Sequence, residues 1–418
     1  MKPLLVILAL FCACFEGLGQ SHSPPQWVVY DTSNSGIPDN NLICISFDSN
    51  GRKWIGTYHG IAIFDNFSWV VYDTSNSGLP GDIITCIAFE SNGVAWIGTY
   101  YDGLVRYDGT NWTVFTTYNS GLIYNFPVSI AIDSLNNKWI GTPAGLQKFD
   151  GANWRTFTTA NSNIPQNWIE DVTIDKSGSI WVATSSQGVA KYDGINWTSY
   201  WAVLNSPMVR VIAVDSNNLK WLGSCGNGLE KFNDSTYYHY TYNVGNSGIP
   251  TDFMTDVAID KFQTKWIGSY YGLTKFNDTS WVVYNTTNSG IPTDRALKVS
   301  VDDKGNKWIG TELAGLVVFN ENGVTVGMTE HGATSAEKKI TIIPNPVQDK
   351  AKVIIPEQQS GKKSVLRLYN ELGKLVLTIK TLSSTCTLNR FGLAPGVYFL
   401  IATSEEGGVL GSSKVLVY

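Results

Sequence analysis

The chain has 418 residues, too many for one small core and enough for two or three units of about 100–200 residues. With 16% charged and 43% hydrophobic residues, long disorder and coiled coil are excluded. The 15 Trp, 20 Tyr, 17 Phe and 40 Gly fit an all-β chain with many tight turns, and a net charge of −5 gives no footprint for nucleic acid.

The charge is unevenly spread. Residues 21–337 hold 18 Lys+Arg against 29 Asp+Glu, whereas from Lys338 onward there are 11 against 5, and all 15 Trp precede that point. Composition therefore places a domain boundary near residue 335.

Lys2 precedes an apolar run over residues 4–15, followed by the small residues Gly17 and Gly19. A basic start, an apolar stretch too short to span a bilayer and a cleavable end read as a secretory signal peptide over residues 1–20. No later segment reaches the ~18 consecutive apolar residues of a membrane span, so a mature chain without a transmembrane segment is expected. Cys44, Cys86, Cys225 and Cys386 are too sparse for a disulfide scaffold, and Cys44 and Cys86, at equivalent repeat positions, read as small core residues.

From residue 21 to 330 one pattern repeats. Trp54, Trp96, Trp139, Trp181, Trp221, Trp266 and Trp308 are spaced 42, 43, 42, 40, 45 and 42 apart. A second series runs Trp27, Trp69, Trp112, Trp154, Trp197 and Trp281, with Tyr237 or Tyr238 in the remaining place. A period of ~40–45 residues with several short strands per unit is the signature of propeller blades, and seven copies predict a seven-bladed β-propeller. In the first copy the strands are read at residues 42–48, 52–57, 60–65 and 68–73. The first strand carries one small residue in every copy, Ser46, Ala88, Ala131, Thr173, Ala213, Ala258 or Ser300, as expected of inner strands crowded around a channel. The last copy lacks its outer Trp strand, while an orphan strand at residues 27–30 carries the missing pattern. The N-terminal strand is therefore expected to complete the seventh blade.

After a linker at residues 331–340, strands are read at residues 340–343, 351–355, 364–369, 374–380, 397–403 and 413–418. With turns such as Pro344-Asn345-Pro346 and Ala394-Pro395-Gly396, they predict a small immunoglobulin-like β-sandwich over residues 341–418.

Chemistry is sparse. There is no metal-protease helix, phosphate loop or nucleophile elbow, so no catalytic, metal or cofactor site is assigned, and cofactors are expected to be none. Asp48, Glu90, Asp133, Asp175, Asp215, Asp260 and Asp302 recur once per copy and read as turn formers whose carboxylates accept nearby N–H groups. The two ends of the blades differ, however. Turns of one end are short and nearly identical between copies; those of the other vary, and function on rigid scaffolds gathers in variable loops. The variable end presents Tyr58, His59, Tyr100, Tyr101, Asp102, Tyr124, Phe126, Trp168, Phe253, Tyr270, Tyr271 and Arg295 as candidate ligand-binding residues. Aromatic faces beside polar and charged groups suit sugars, which stack on rings and hydrogen-bond through hydroxyls.

The run Ile84, Ile87, Glu90, the Trp-Ile-Gly-Thr element and Gly103 to Asp108 resemble the two-component-regulator propeller repeats of bacterial sensor proteins. The order Pro-Asn-Pro, Leu-Tyr-Asn-x-x-Gly-Lys, Leu-x-Pro-Gly-Val-Tyr-Phe and Lys-Val-Leu-Val resembles the type IX secretion sorting domain of Bacteroidetes. The second resemblance implies the type IX secretion machinery as a partner, engaged through residues 341–418. It also implies a chain secreted or attached to the outer surface after its sorting domain is removed. Together these features predict a monomeric, non-enzymatic binding protein for a glycan or an extracellular protein. A polysaccharide lyase or glycoside hydrolase using Tyr58, His59 or Tyr101 with Asp102, and an extracellular scaffold, are the alternatives.

Overall fold

The computed structural model describes residues 26–324 and 340–417, apart from 67, 201–203, 205–206, 357–361, 371–374, 391 and 405–408. The expected signal peptide and the linker residues before Ile340 lie outside the described residues. Among the described residues every regular element is a β-strand.

The first strand is β1 (Trp27–Tyr30), followed by β2 (Leu42–Phe47), β3 (Lys53–Thr57), β4 (Gly60–Phe64) and β5 (Trp69–Tyr72). β2 to β5 form an antiparallel four-stranded sheet in sequence order, within a residue or so of the bounds expected from the repeat. Six further four-stranded sheets follow the same plan, referred to below as sheets 2 to 7. In sheet 7 the outer place is taken by β1, paired in register from Trp27↔Phe319 to Tyr30↔Leu316. The expected closure by the N-terminal strand is therefore present. The first strand of each sheet packs on the first strand of the next, and that of sheet 7 packs on β2, so the sheets close into a ring that resembles a propeller.

The repeat residues explain why each sheet forms and why neighbours adhere. Each inner Trp donates its indole N–H to the acidic residue six positions earlier, from Trp54 to Asp48 at 3.0 Å through Trp308 to Asp302 at 2.9 Å. In all but the Glu90 copy the other carboxylate oxygen accepts two turn amides, as Asp48 does from Asn50 and Arg52. The acids are thus turn formers as expected, and they also seat the core tryptophan. Lys53, Lys138, Lys220, Lys265 and Lys307 are buried, each ammonium lying 4.1–4.8 Å from the ring centroid of the inner Trp in the preceding sheet. Such cation–π contacts gain strength when desolvated. Sheets 2 and 4 carry Ala95 and Ile180 at that position and lack the contact.

Two glycine positions are required by geometry. Gly60, which opens β4, has φ +106°, and a Cβ there would stand 2.3 Å from the Tyr72 carbonyl oxygen. Gly36, in the loop before β2, lies flat on the outer tryptophan of the next sheet, where an added Cβ would meet Trp69 Cβ at 2.4 Å.

Beyond the ring, strands Thr341–Ile343, Lys350–Ile354 and Thr385–Asn389 form one sheet, and Leu375–Thr381, Ser364–Asn370, Gly396–Ser404 and Val409–Val417 form another. Both contribute to one apolar core containing Val353, Leu366, Leu388, Leu400 and Val415. The strand Thr385–Asn389 was not expected from the sequence. Its residues are polar except Cys386 and Leu388, so its alternation is too weak to stand out until Leu388 is seen in the core.

Candidate functional site

The variable end of the ring is built on loops that are tied down. Asn40, Asp82, Asn125, Asn167, Asp252 and Asp294 each accept, through the side chain, the backbone amide eight residues earlier. The amides of Gly60, Gly103, Gly228, Gly272 and Gly315 donate to the backbone carbonyls of Asp82, Asn125, Asp252, Asp294 and Asn40, the last bond joining sheet 7 to the loop before β2. The residues immediately after these anchors are Asn41, Ile83, Phe126, Trp168, Phe253 and Arg295, one in each of six sheets. In several sheets that residue is also latched to the first residue of the neighbouring turn. Tyr100 donates its amide to Ile83, Ser185 to Trp168 and Glu312 to Arg295. Divergent side chains therefore stand on a repeated, rigid backbone.

At the centre of this end lies a cavity of about 680 Å³. Of the expected site residues, Tyr58, Tyr100, Phe126, Tyr270 and Arg295 line it. Tyr58, Tyr100 and Tyr270 are 49%, 44% and 41% exposed, so their faces are open to a ligand. Arg295 is ion-paired with Glu312, and its guanidinium lies 5.5 Å from the Tyr270 ring centroid.

The other expected residues stand outside the cavity lining. Tyr101 and Tyr124 extend an aromatic cluster with Tyr100 and Phe126, with ring centroids 4.5–6.2 Å apart. Burial and the neighbouring Tyr100 and Tyr124 push the Tyr101 hydroxyl pKa upward. Asp102 is held above the usual carboxylate value by burial and by the charge of Asp82. His59 is bonded to Asp39 rather than facing the cavity. Trp168, Phe253 and Tyr271 are exposed around the ring, Phe253 bridging to Cys225.

The structure adds residues that period-two reading passes over. In six sheets the innermost strand carries a register shift at its start, between Leu42/Cys44, Ile84/Cys86, Ile169/Asp171, Val209/Val211, Met254/Asp256 and Ala296/Lys298. A bulge re-aims side chains. Here the skipped residues Ile43, Thr85, Glu170, Arg210, Thr255 and Leu297, with Val128 from sheet 3, all line the cavity. The residues after them form a second tier that includes Asp171, Asp256 and Lys298. Burial raises the Glu170 pKa, with Arg210 opposing the shift. Burial also raises that of Asp171, against amide and Ser129 hydrogen bonds. Asp256, more than burial takes away, keeps the Lys298 ammonium protonated beyond its ordinary range. Burial drives the Cys44 and Cys86 thiols up to about 12, far from thiolate chemistry at neutral pH. A visible sign in the sequence was the paired polar residues Glu170-Asp171 and Thr255-Asp256 at the start of otherwise apolar strands.

Residues 341–417 match the family described as "Secretion system C-terminal sorting domain", and residues 78–101 match "Two component regulator propeller". No curated protein matches the sequence. Among solved structures, the extracellular domain of BT3049 from B. thetaiotaomicron, described as a hybrid two component system, is similar with TM-score 0.63 at 19% identity, covering 94% of this chain and 58% of that one. PorZ, described as an essential surface component of the type-IX secretion system of Porphyromonas gingivalis, is similar with TM-score 0.59 at 16% identity, covering 93% and 61%. Virginiamycin B lyase from Staphylococcus aureus is similar with TM-score 0.58 at 12% identity, covering 70% of this chain and 98% of that one. The chain thus spans about six tenths of the length of BT3049 and PorZ, and at these identities the likeness is one of fold. No helix among the described residues is long and apolar enough to cross a membrane. A tail that matches a secretion-system sorting domain, together with a segment that matches the two-component-regulator propeller, supports secretion of this chain to the cell surface.

Proposed function

We propose that this is a non-enzymatic cell-surface protein that binds a glycan through the variable end of its ring. The seven sheets are the blades of a seven-bladed propeller over residues 21–330, behind a signal peptide at residues 1–20. A linker at 331–340 leads to an immunoglobulin-like sandwich at 341–418, which engages the secretion machinery and is then removed. The mature protein is a monomer.

One observation carries the binding reading. Exposed rings from Tyr58, Tyr100 and Tyr270, with the half-buried Phe126, surround a cavity of about 680 Å³, on loops whose backbone is repeated and hydrogen-bonded. Apolar ring faces with a few convergent polar groups form the general pattern of a ligand site. The outlying aromatics Tyr101, Tyr124, Trp168, Phe253 and Tyr271, with His59 and Asp102, extend the surface a longer chain would cross.

The test is a glycan array probed with the full chain and with Tyr100→Ala and Tyr270→Ala. Saturable binding to one glycan class, weakened at least tenfold by either change, is expected; base–ring stacking on aromatic residues, a comparable contact, contributes about 1–3 kcal/mol per ring. A blank array with folded protein would overturn the glycan reading in favour of a protein partner. Product formation during incubation would establish the enzyme instead.

A further inference from the structure

The charged groups at the cavity are not partnered alike. Arg295 is engaged by Glu312. Asp171 and Asp256 turn their oxygens to the backbone: Asp171 accepts the amides of Val172 and Ile212 and the Ser129 hydroxyl, and Asp256 accepts the amides of Val257 and Val299. Ile212 and Val299 lie on the innermost strand of the following sheet, a sheet edge that needs such acceptors. These carboxylates are therefore occupied in holding neighbouring sheets together.

Lys298 and Arg210 differ from the rest. Both line the cavity, and neither has a hydrogen bond or an ion pair among the described residues. Lys298 is half-buried; the charges of Asp256 and Asp171 favour its ammonium without pairing with it, and that of Arg210 acts against it. Two cations without an ion pair thus face one open cavity, and an anionic group between them would give both a direct partner. Glu170, the remaining acid of the lining, stands at the matching position of the adjoining sheet; burial disfavours its carboxylate, Arg210 favours it, and the two form no ion pair.

We propose that the ligand is an acidic glycan, whose carboxylate docks at Lys298 and Arg210 while its sugar rings lie against Tyr58, Tyr100 or Tyr270. The inference rests on the glycan reading above and narrows it to a chemical class. Ammonium and guanidinium donors to a carboxylate make charge-assisted hydrogen bonds, which are stronger than neutral ones.

Calorimetric titration of the full chain would use oligogalacturonate and oligoalginate, each beside its methyl ester, together with the glycan array. Expected is an acid form bound about tenfold or more tighter than its ester, with affinity falling as salt rises. Lys298→Met and the more exposed Arg210→Gln should each erase most of that preference; Arg210→Gln keeps the test open if the first variant fails to fold. Equal binding of acid and ester, or array hits confined to neutral glycans, would overturn the acidic ligand while leaving the glycan reading intact. Binding of no glycan at all would overturn both.

Discussion

At the residue scale, the acids preceding the inner tryptophans carry more of the fold than their surface turns imply. Asp175 is the most heavily used: it accepts from the Trp181 indole, the Ser177 hydroxyl and the Ser177 and Ser179 amides, and it pairs with Lys220 at 3.2 Å. Replacing it by Ala leaves a buried indole N–H and a buried ammonium short of acceptors. Asp175→Ala is therefore expected to cost about 2–4 kcal/mol, read from denaturant unfolding. Burial works against ionisation of Asp48, Glu90, Asp133 and Asp175, but hydrogen bonds from the inner tryptophans and neighbouring side chains outweigh it and lower their pKa values. A lowered native pKa gives stability that is complete above the ordinary values of 3.8 and 4.5 and is lost as pH falls through the native ones. Glu170 and Asp171 act with the opposite sign, since burial raises theirs and acid relieves that cost. With the lowered acids more numerous, calorimetry should show the melting temperature falling steadily below about pH 4; a rise on acidification would mean that Glu170 and Asp171 dominate.

At the element scale, β1 is the clasp of the ring. It is four residues long, yet Trp27 stacks on Phe319 at 4.0 Å and meets Tyr284 edge-on at 5.8 Å, and Gly290 of the preceding loop packs against its ring. Without β1, sheet 7 would be left with an open edge at Leu316–Phe319. Deleting residues 21–32 should lower the melting temperature by about 10 °C or more and broaden the transition. The loops carry a second element-scale prediction. Gly36→Ala places a methyl 2.4 Å from Trp69 Cβ, and such overpacking should cost about 1–3 kcal/mol in the same unfolding measurement. The strand order of each sheet and the identity of the clasp were legible in the sequence because Trp-Ile-Gly-Thr and the outer Trp recur at fixed offsets. The short strand Thr385–Asn389 was not legible, because register and core contact define it rather than alternation.

At the scale of the whole molecule, the acidic ring and the basic tail are separate devices. The tail matches a sorting family over residues 341–417, and no residue of the cavity lies within it. Truncation after residue 336 is accordingly expected to leave a folded ring that stays in the periplasm, seen by fractionation and immunoblot. Appearance of the truncated chain in the medium would place the address elsewhere. The ring also shares its variable end among all seven sheets, so the cavity gathers side chains from opposite ends of the ring's sequence, from Asn41 to Glu312.

The sequence by itself determined the repeat, the strand order, the N-terminal clasp, the sorting tail and the face that varies. Each of these depends on local spacing or on composition, which are properties of the chain before it folds. Only the tertiary structure decided which of the variable residues meet. It separated Tyr58, Tyr100, Phe126, Tyr270 and Arg295, which line one cavity, from His59, Asp102 and Trp168, which do not. It also brought in Glu170, Arg210 and Lys298, because a one-residue bulge shifts a side chain off the alternation by which strands are read.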